Sequence, residues 1–145
     1  MSEKIGIRPC VILVENEKVL CVKYSSKNDF YLFPGGGIEK GETIAEAAIR
    51  EMKEESGINV KLGKIVYIND WIENKETNSR VVNIFFIGKR VGGKEDDNVK
   101  DNGKVKGIKW IDLDEFKNVD FRPKSIAERL FSDYKNNFKD TIYIN

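Results

Sequence analysis

The sequence predicts an α+β domain in layers, with a β-sheet held between helices. Three observations carry this. Runs rich in β-branched and aromatic residues outnumber helical segments. Only two segments show helical signals, one internal and one at the C-terminal end. No internal repeat or linker divides the 145 residues, so 1–145 is expected to be one domain.

Taken in order, Arg8 to Tyr24 (RPCVILVENEKVLCVKY) predicts two strands around a turn at Glu15-Asn16-Glu17. Phe30 to Gly37 (FYLFPGGG) predicts a short apolar strand ended by Pro34 and three glycines, where backbone can approach a ligand closely or turn sharply. Thr43 and Glu46 form a capping-box pair that starts a helix, and Gly57 is a natural residue to stop it. Ile58 to Glu73 and Arg80 to Val91 predict long strands joined by a polar loop. Gly92 to Lys106 is almost without apolar residues and predicts a solvated loop, after which GIKWIDL predicts a last short strand. A second capping box, Ser125 with Glu128, predicts a terminal helix whose apolar stripe is Ile126, Leu130, Tyr134 and Phe138. The tail DTIYIN has no assignment.

Composition narrows the function. Hydrophobic residues make up 40% and charged residues 34% of the chain, which suits a core under a well-solvated surface. The net charge of +1 gives no overall field toward nucleic acid or a membrane, and neither partner is expected. No apolar run reaches the roughly 20 residues of a membrane span, and the N-terminal residues lack a signal-peptide pattern, so the expected location is cytoplasmic. There is no histidine. That excludes serine–histidine and cysteine–histidine catalysis and the common histidine-containing zinc sites. Cys10 and Cys21 lie in apolar runs and are expected as buried free thiols. A metal site here must therefore use oxygen ligands, which suit Mg²⁺, Mn²⁺ or Ca²⁺.

The first helix crowds its carboxylates. At roughly 100° per residue, with Glu51 set to zero, Glu54 falls near −60° and Glu55 near +40°. Ile44, Ala48 and Met52 fall at about +20° to +100°, so the glutamate sector overlaps the edge of the apolar face. Glu46 and Lys53 occupy the far, solvent side. Carboxylates crowded at a core's edge raise one another's pKa unless cations neutralise them, and a hard divalent metal does so. A simply solvated helix face is the competing reading.

The 23 residues GGIEKGETIAEAAIREMKEESGI resemble the Nudix box, G-x5-E-x7-R-E-U-x-E-E-x-G-U with U apolar. Gly36, Glu42, Arg50, Glu51, Met52, Glu54, Glu55, Gly57 and Ile58 match it at every specified position. Seven fixed and two apolar matches arise at one site with odds on the order of 1 in 10⁹. The resemblance implies an α/β/α sandwich around a mixed sheet, with the box as loop–helix–loop. It implies metal-dependent hydrolysis of a nucleoside diphosphate linked to another group, a nucleotide sugar such as ADP-ribose or a (d)NTP. By matching position, Glu51, Glu54 and Glu55 would hold Mg²⁺ or Mn²⁺ with the Gly35 carbonyl, and Glu51 or Glu54 would serve catalysis. Arg50 would orient a glutamate, Glu54 being its i+4 neighbour, and Glu42 would brace the loop, with Gly36 and Gly57 shaping the ends.

The departures from the family leave points open. The approach to Trp110 reads NGKVKGIKW, without the carboxylate that many members carry there. The general base is then Glu51, Glu54 or one of the loop residues Glu95, Asp96, Asp97 and Asp101. The residues after the box, ENKETN, lack the tyrosine or proline that marks two substrate subfamilies. Trp71 could stack on a base or sit in the core. Lys23 and Arg80 could bind phosphate or be plain exposed cations. The partner expected is a small nucleoside diphosphate derivative, with a homodimer left open. The rival readings are a non-catalytic nucleotide-sensing module of the same fold and a structural calcium site.

Overall fold

A computed structural model describes residues 4–25, 28–96 and 105–144. Among them are seven strands, β1 (Ile5–Glu15), β2 (Lys18–Ser25), β3 (Asp29–Leu32), β4 (Ile58–Asn74), β5 (Ser79–Gly93), β6 (Val105–Asp112) and β7 (Ile142–Ile144). Two α-helices, α1 (Ile44–Ser56) and α2 (Lys124–Lys135), and a 3₁₀ turn at Phe116–Asn118 complete the described elements.

The sheet is mixed, in the order β3-β2-β1-β5-β4-β7, with β6 also paired to β2. β1 and β5 run parallel, from Ile5 opposite Arg80 to Leu13 opposite Gly88. β4 and β5 are antiparallel, and β7 adds to β4 in parallel. β1 meets β2 only at the hairpin end, through Val14 opposite Val19 and Glu15 opposite Lys18. Asn16 and Glu17 form the turn, both with positive φ (52° and 59°), the backbone a two-residue hairpin needs. Farther along β1 the loop after β3 takes the place of β2. Val11 N–H donates to Pro34 O at 2.9 Å, and Cys10 bridges Gly35.

Alternation along β1 explains the layers. Cys10, Val11, Ile12 and Leu13 are all buried although their side chains point to opposite faces. Val11 and Leu13 join Leu20, Ile58 and Val60 against Ala48 and Met52 of α1. Cys10 and Ile12 join Phe33, Tyr67, Phe85, Phe116, Ile126 and Leu130 on the α2 side. A run apolar on both faces is what a sheet between helices requires, and the expected α/β/α layering stands.

Several local expectations change. The helix α2 begins at Lys124 with Pro123 at its N-cap and no side-chain cap bond, so the Ser125–Glu128 capping box does not form. Ser125 already lies inside the helix. Proline, with φ preset near −65°, starts the helix earlier. Ile126 and Leu130 are buried as expected, whereas Phe138 reaches the core from beyond the helix end, with φ of 48°. The tail is strand β7, Ile142 to Ile144 pairing with Tyr67 to Asn69. Of the expected polar loop, Gly92 and Gly93 extend β5 and Val105 opens β6. Asp97 and Asp101 lie outside the described residues.

Candidate functional site

The box folds as its local chemistry dictates. Thr43 Oγ1 accepts from Glu46 N–H at 3.1 Å, and Glu46 Oε1 accepts from Thr43 N–H at 3.0 Å. Gly57 ends α1 at φ 81°, with its N–H on Lys53 O at 2.9 Å. A Cβ there would lie 2.4 Å from Lys94 O, so glycine is required for space as well as for φ. Within α1, Ala47, Ala48, Met52, Glu55 and Ser56 are buried, while Glu46 and Lys53 are exposed. The wheel angles anticipate this, placing Glu55 among the apolar positions.

Arg50 is the hub of the exposed rim. Its Nε and Nη2 donate to the two oxygens of Glu42 at 2.6 and 3.0 Å, a bidentate pair. Its Nη1 donates to Glu51 at 2.8 Å and to Glu54 at 3.3 Å, and Nη2 also reaches Gly37 O at 2.9 Å. The sequence paired Arg50 chiefly with Glu54; the structure gives Glu42 and Glu51 the shorter bonds. These bonds raise the Arg50 pKa, and Arg50 in turn holds the Glu42 carboxyl below its ordinary range. Glu42 also accepts from Glu39 N–H at 2.8 Å, which braces the loop ahead of the helix.

Glu55 is different. It is 6% exposed and turned inward. Oε1 accepts from Gly35 N–H at 2.7 Å and Oε2 from Tyr24 O–H at 3.4 Å. Burial pushes its pKa up to about 7, against the opposing pull of the Gly35 N–H and the Arg8 charge. The same burial, with Glu55 adding to it, pushes the Tyr24 hydroxyl up to about 12. Arg8 Nη2 donates to Gly35 O at 3.2 Å and Nη1 to Cys10 Sγ at 3.4 Å. The Gly35 carbonyl, expected to face a metal, faces Arg8 in this arrangement. Burial pushes the Cys10 thiol up to about 11 and Cys21 well above its ordinary value, so both are inert thiols.

Two glycines hold the loop against this machinery. A Cβ on Gly35 would lie 2.5 Å from Pro9 O, and one on Gly36 would lie 2.5 Å from the carboxyl carbon of Glu51. The three box glutamates are thus gathered on one turn but not closed into a cage. Among the described residues no three acidic or thiol side chains converge on one ion-sized point. Glu51 and Glu54 turn to Arg50, and Glu55 turns to Gly35.

The remaining sequence candidates scatter. Lys23 pairs with Asp29 at 3.2 Å on the β2–β3 ribbon. Trp71 is 42% exposed, which overturns the core reading. Its own register puts it with Val81, whereas Arg80 pairs with Ile72 and so sits on the opposite face of the sheet. Lys23, Trp71 and Arg80 do not form one substrate cluster. Glu95 accepts from Arg90 at 2.6 Å and Trp110 Nε1 at 3.2 Å, and Arg90 holds its carboxyl down at about 2, too low for a base at neutral pH. Asp96 N–H caps Ser56 O at 2.8 Å. Sequence reasoning missed Arg8 and Tyr24. A charged residue two positions ahead of a buried cysteine in a strand was the available signal for Arg8.

Fold and box together define a hydrolase-type scaffold, and comparison with known proteins agrees. The sequence profile of the NUDIX domain matches residues 6–130. The chain belongs to the NUDIX family. It is 29% identical over 126 residues to an ADP-ribose pyrophosphatase of Methanocaldococcus jannaschii, covering 85% of this chain and 69% of that one. It is 32% identical over 105 residues to a Bacillus subtilis protein named for 8-oxo-dGTP diphosphatase activity, covering 70% of this chain and 62% of that one. Among solved structures it resembles a NUDIX hydrolase from Nitrosomonas europaea with a TM-score of 0.75 at 20% identity, covering 96% and 94% of the two chains. It also resembles the MutT protein of Bacillus halodurans with a TM-score of 0.72 at 23% identity, covering 87% and 82%.

Proposed function

We propose that this chain is a divalent-metal-dependent pyrophosphohydrolase that cleaves a nucleoside diphosphate joined to another group, either a nucleotide sugar such as ADP-ribose or a (d)NTP. Family membership makes it a hydrolase acting on phosphorus-containing anhydrides. The observation that carries the finer reading is the pairing of a buried Glu55, held by the Gly35 N–H, with a glycine loop that has no room for a Cβ beside Glu51. Solvated helix faces do not bury a carboxylate or mould a loop against one.

The donor set fits Mg²⁺ or Mn²⁺, because it is built of oxygens alone. Glu51, Glu54, Glu55 and the Gly35 carbonyl would hold the ion. Bound there, the ion supplies charge neutralisation for the polyanionic substrate and a more acidic water. The protein's own residues do the rest. Arg50 fixes the aim of Glu51 and Glu54 while Glu42 fixes Arg50. Glu51 or Glu54, partly exposed on the rim, is the proton acceptor. Gly35 N–H and Tyr24 O–H hold Glu55 in place. Gly36 admits substrate closely, and Trp71 lies at the mouth of an adjoining cleft. Lys23, which pairs with Asp29, and Arg80 would serve as separate outer phosphate contacts. The whole chain, 1–145, acts as one cytoplasmic domain.

The test is a panel of nucleoside diphosphate sugars, dinucleoside polyphosphates and (d)NTPs with Mg²⁺, Mn²⁺ or Ca²⁺. Turnover with Mg²⁺ or Mn²⁺ but not Ca²⁺ is expected. The engagement of Glu95 by Arg90 and Trp110 favours a second reading, a nucleotide-sensing module. Metal-dependent nucleotide binding without turnover of any panel member would establish that reading instead.

A further inference from the structure

We propose that Asn83 is a specificity residue of a nucleobase cleft, accepting a hydrogen bond from the exocyclic amine of the base, and that the short strand β7 fixes this choice. The inference rests on the nucleotide-hydrolase reading above and adds the class of base. Asn83 is 2% exposed, and its Oδ1 is the buried side-chain polar atom left without a hydrogen-bond partner among the described residues. Buried acceptors are nearly always satisfied, so such an atom calls for an explanation.

The polarity of the amide is set from a distance. The Ile144 carbonyl on β7 can only accept, and Asn69 Nδ2 donates to it at 3.1 Å. Asn69 therefore presents Oδ1 to Asn83, and Asn83 Nδ2 donates to it at 3.2 Å. With Nδ2 given to Asn69 on β4, Oδ1 is the atom of Asn83 left over, and on the other neighbouring strand, β1, Arg8 is the register partner. Arg8, Phe33, Trp71, Asn83 and Arg122 line a narrow cleft there with about 10 Å³ of free space, one water's worth at most. A ring reaches the floor only by displacing Trp71 and Arg122, both exposed at the mouth, Arg122 resting over the Phe30 ring at 3.9 Å. Trp71 then offers a stacking face. Arg8 ties the cleft to the box through Gly35 O.

A lone acceptor at the floor selects a group that projects from the ring edge and donates. The exocyclic amine of adenine, cytosine or guanine does so, and each is flanked by a ring nitrogen able to accept from a guanidinium such as Arg8. Uracil and thymine present a carbonyl where cytosine has its amine, and hypoxanthine a carbonyl where adenine has its amine and a C–H where guanine has its, so none offers an exocyclic amine to Asn83.

The experiment is calorimetric binding of nucleoside monophosphates, which contain no anhydride and need neither metal nor turnover. AMP, GMP and CMP are each compared with the analogue lacking the exocyclic amine: purine riboside monophosphate, IMP and zebularine monophosphate. Wild type is expected to prefer the amine in at least one pair by about tenfold, the scale of one buried hydrogen bond. Folded Asn83→Leu loses that preference. Asn69→Leu, which frees the Asn83 amide to turn its NH₂ into the cleft, loses or inverts it, and serves alone if Asn83→Leu does not fold. Equal binding within all three pairs by wild type, or a preference that survives both substitutions, overturns the proposal and leaves Asn83 as the seat of a structural water. Failure of the turnover panel does not affect this measurement, so the two readings fall separately.

Discussion

Replacing Glu55 with glutamine should stabilise the metal-free protein at alkaline pH while removing its activity. An ordinary glutamate titrates near 4.5, and burial carries Glu55 to about 7. The folded chain therefore keeps this proton across a window in which the unfolded chain releases it. The unfolded state binds fewer protons there, so stability falls as pH rises from about 4.5 to about 7 and stays lower above. At about 1.4 kcal/mol per pH unit, the loss is about 3 kcal/mol. Glutamine mimics the protonated acid. Its Oε1 still accepts from Gly35 N–H, and its Nε2 can donate to the Tyr24 oxygen. In EDTA, Glu55→Gln and wild type should melt within about a degree of each other at pH 5. At pH 8 the variant should melt higher by roughly 6–12 °C, taking about 2–4 °C per kcal/mol for a chain of this size. Adding Mg²⁺ should raise the wild-type melting temperature by ligand linkage and leave the variant's unchanged. Turnover should fall at least ~10²-fold. Identical melting of the two proteins at pH 8 would refute the claim that Glu55 is strained by burial, and near wild-type turnover would refute its assignment to the metal.

Three further outcomes follow from the same contacts. Arg50→Ala removes the cation shared by Glu42, Glu51 and Glu54 and should cost roughly 1–3 kcal/mol in metal-free denaturation, partly restored by Mg²⁺; unchanged melting and turnover together would mean that the rim is merely solvated. Gly36→Ala puts a methyl 2.5 Å from the Glu51 carboxyl carbon, the far end of a flexible side chain, so denaturation should move by less than ~1 kcal/mol while turnover falls at least ~10-fold. Met52→Ala, at a fully buried position on the inner face of α1, should cost about 2–5 kcal/mol in urea denaturation and keep turnover in the folded fraction, which separates packing from chemistry.

What could be read from the sequence was set by local chemistry. The ends of α1 depend on Thr43, Glu46 and Gly57 alone, and the structure has them as expected. The inward turn of Glu55 follows from its helical angle relative to Ala48 and Met52. Long-range partners were not legible. Nothing in DTIYIN announces a strand, because its pairing with Tyr67 to Asn69 is made across the whole second half of the chain. Arg50 pairs with Glu54 as its i+4 spacing predicts, but its shorter bond to Glu42 was not legible, because Glu42 reaches it from a loop, where no periodicity applies. Trp71 resembled a core residue because strand tryptophans usually are; its position near the far end of β4 leaves it on the rim. The roles of Arg8 and Asn83 depend on a glycine loop and on a C-terminal carbonyl that no pattern places beside them.

The parallel pairing of β1 with β5 also bears on how the chain emerges from the ribosome. Ile5 waits for Arg80 and Leu13 for Gly88. At about 5–20 residues per second, that separation corresponds to roughly 4–15 s of synthesis. Throughout that time the apolar segment CVILV lacks its partner along the β5 edge, although the hairpin with β2, the Pro34–Gly35 loop and α1 are already made. A nascent chain stalled before residue 80 would present β1 open along the β5 edge, with Cys10 and Ile12 bare on the face that Phe85 and α2 cover later, and an open apolar edge is the form that associates with other chains. Truncated products of this protein should therefore aggregate, and β1 should be the segment that nascent-chain chaperones hold.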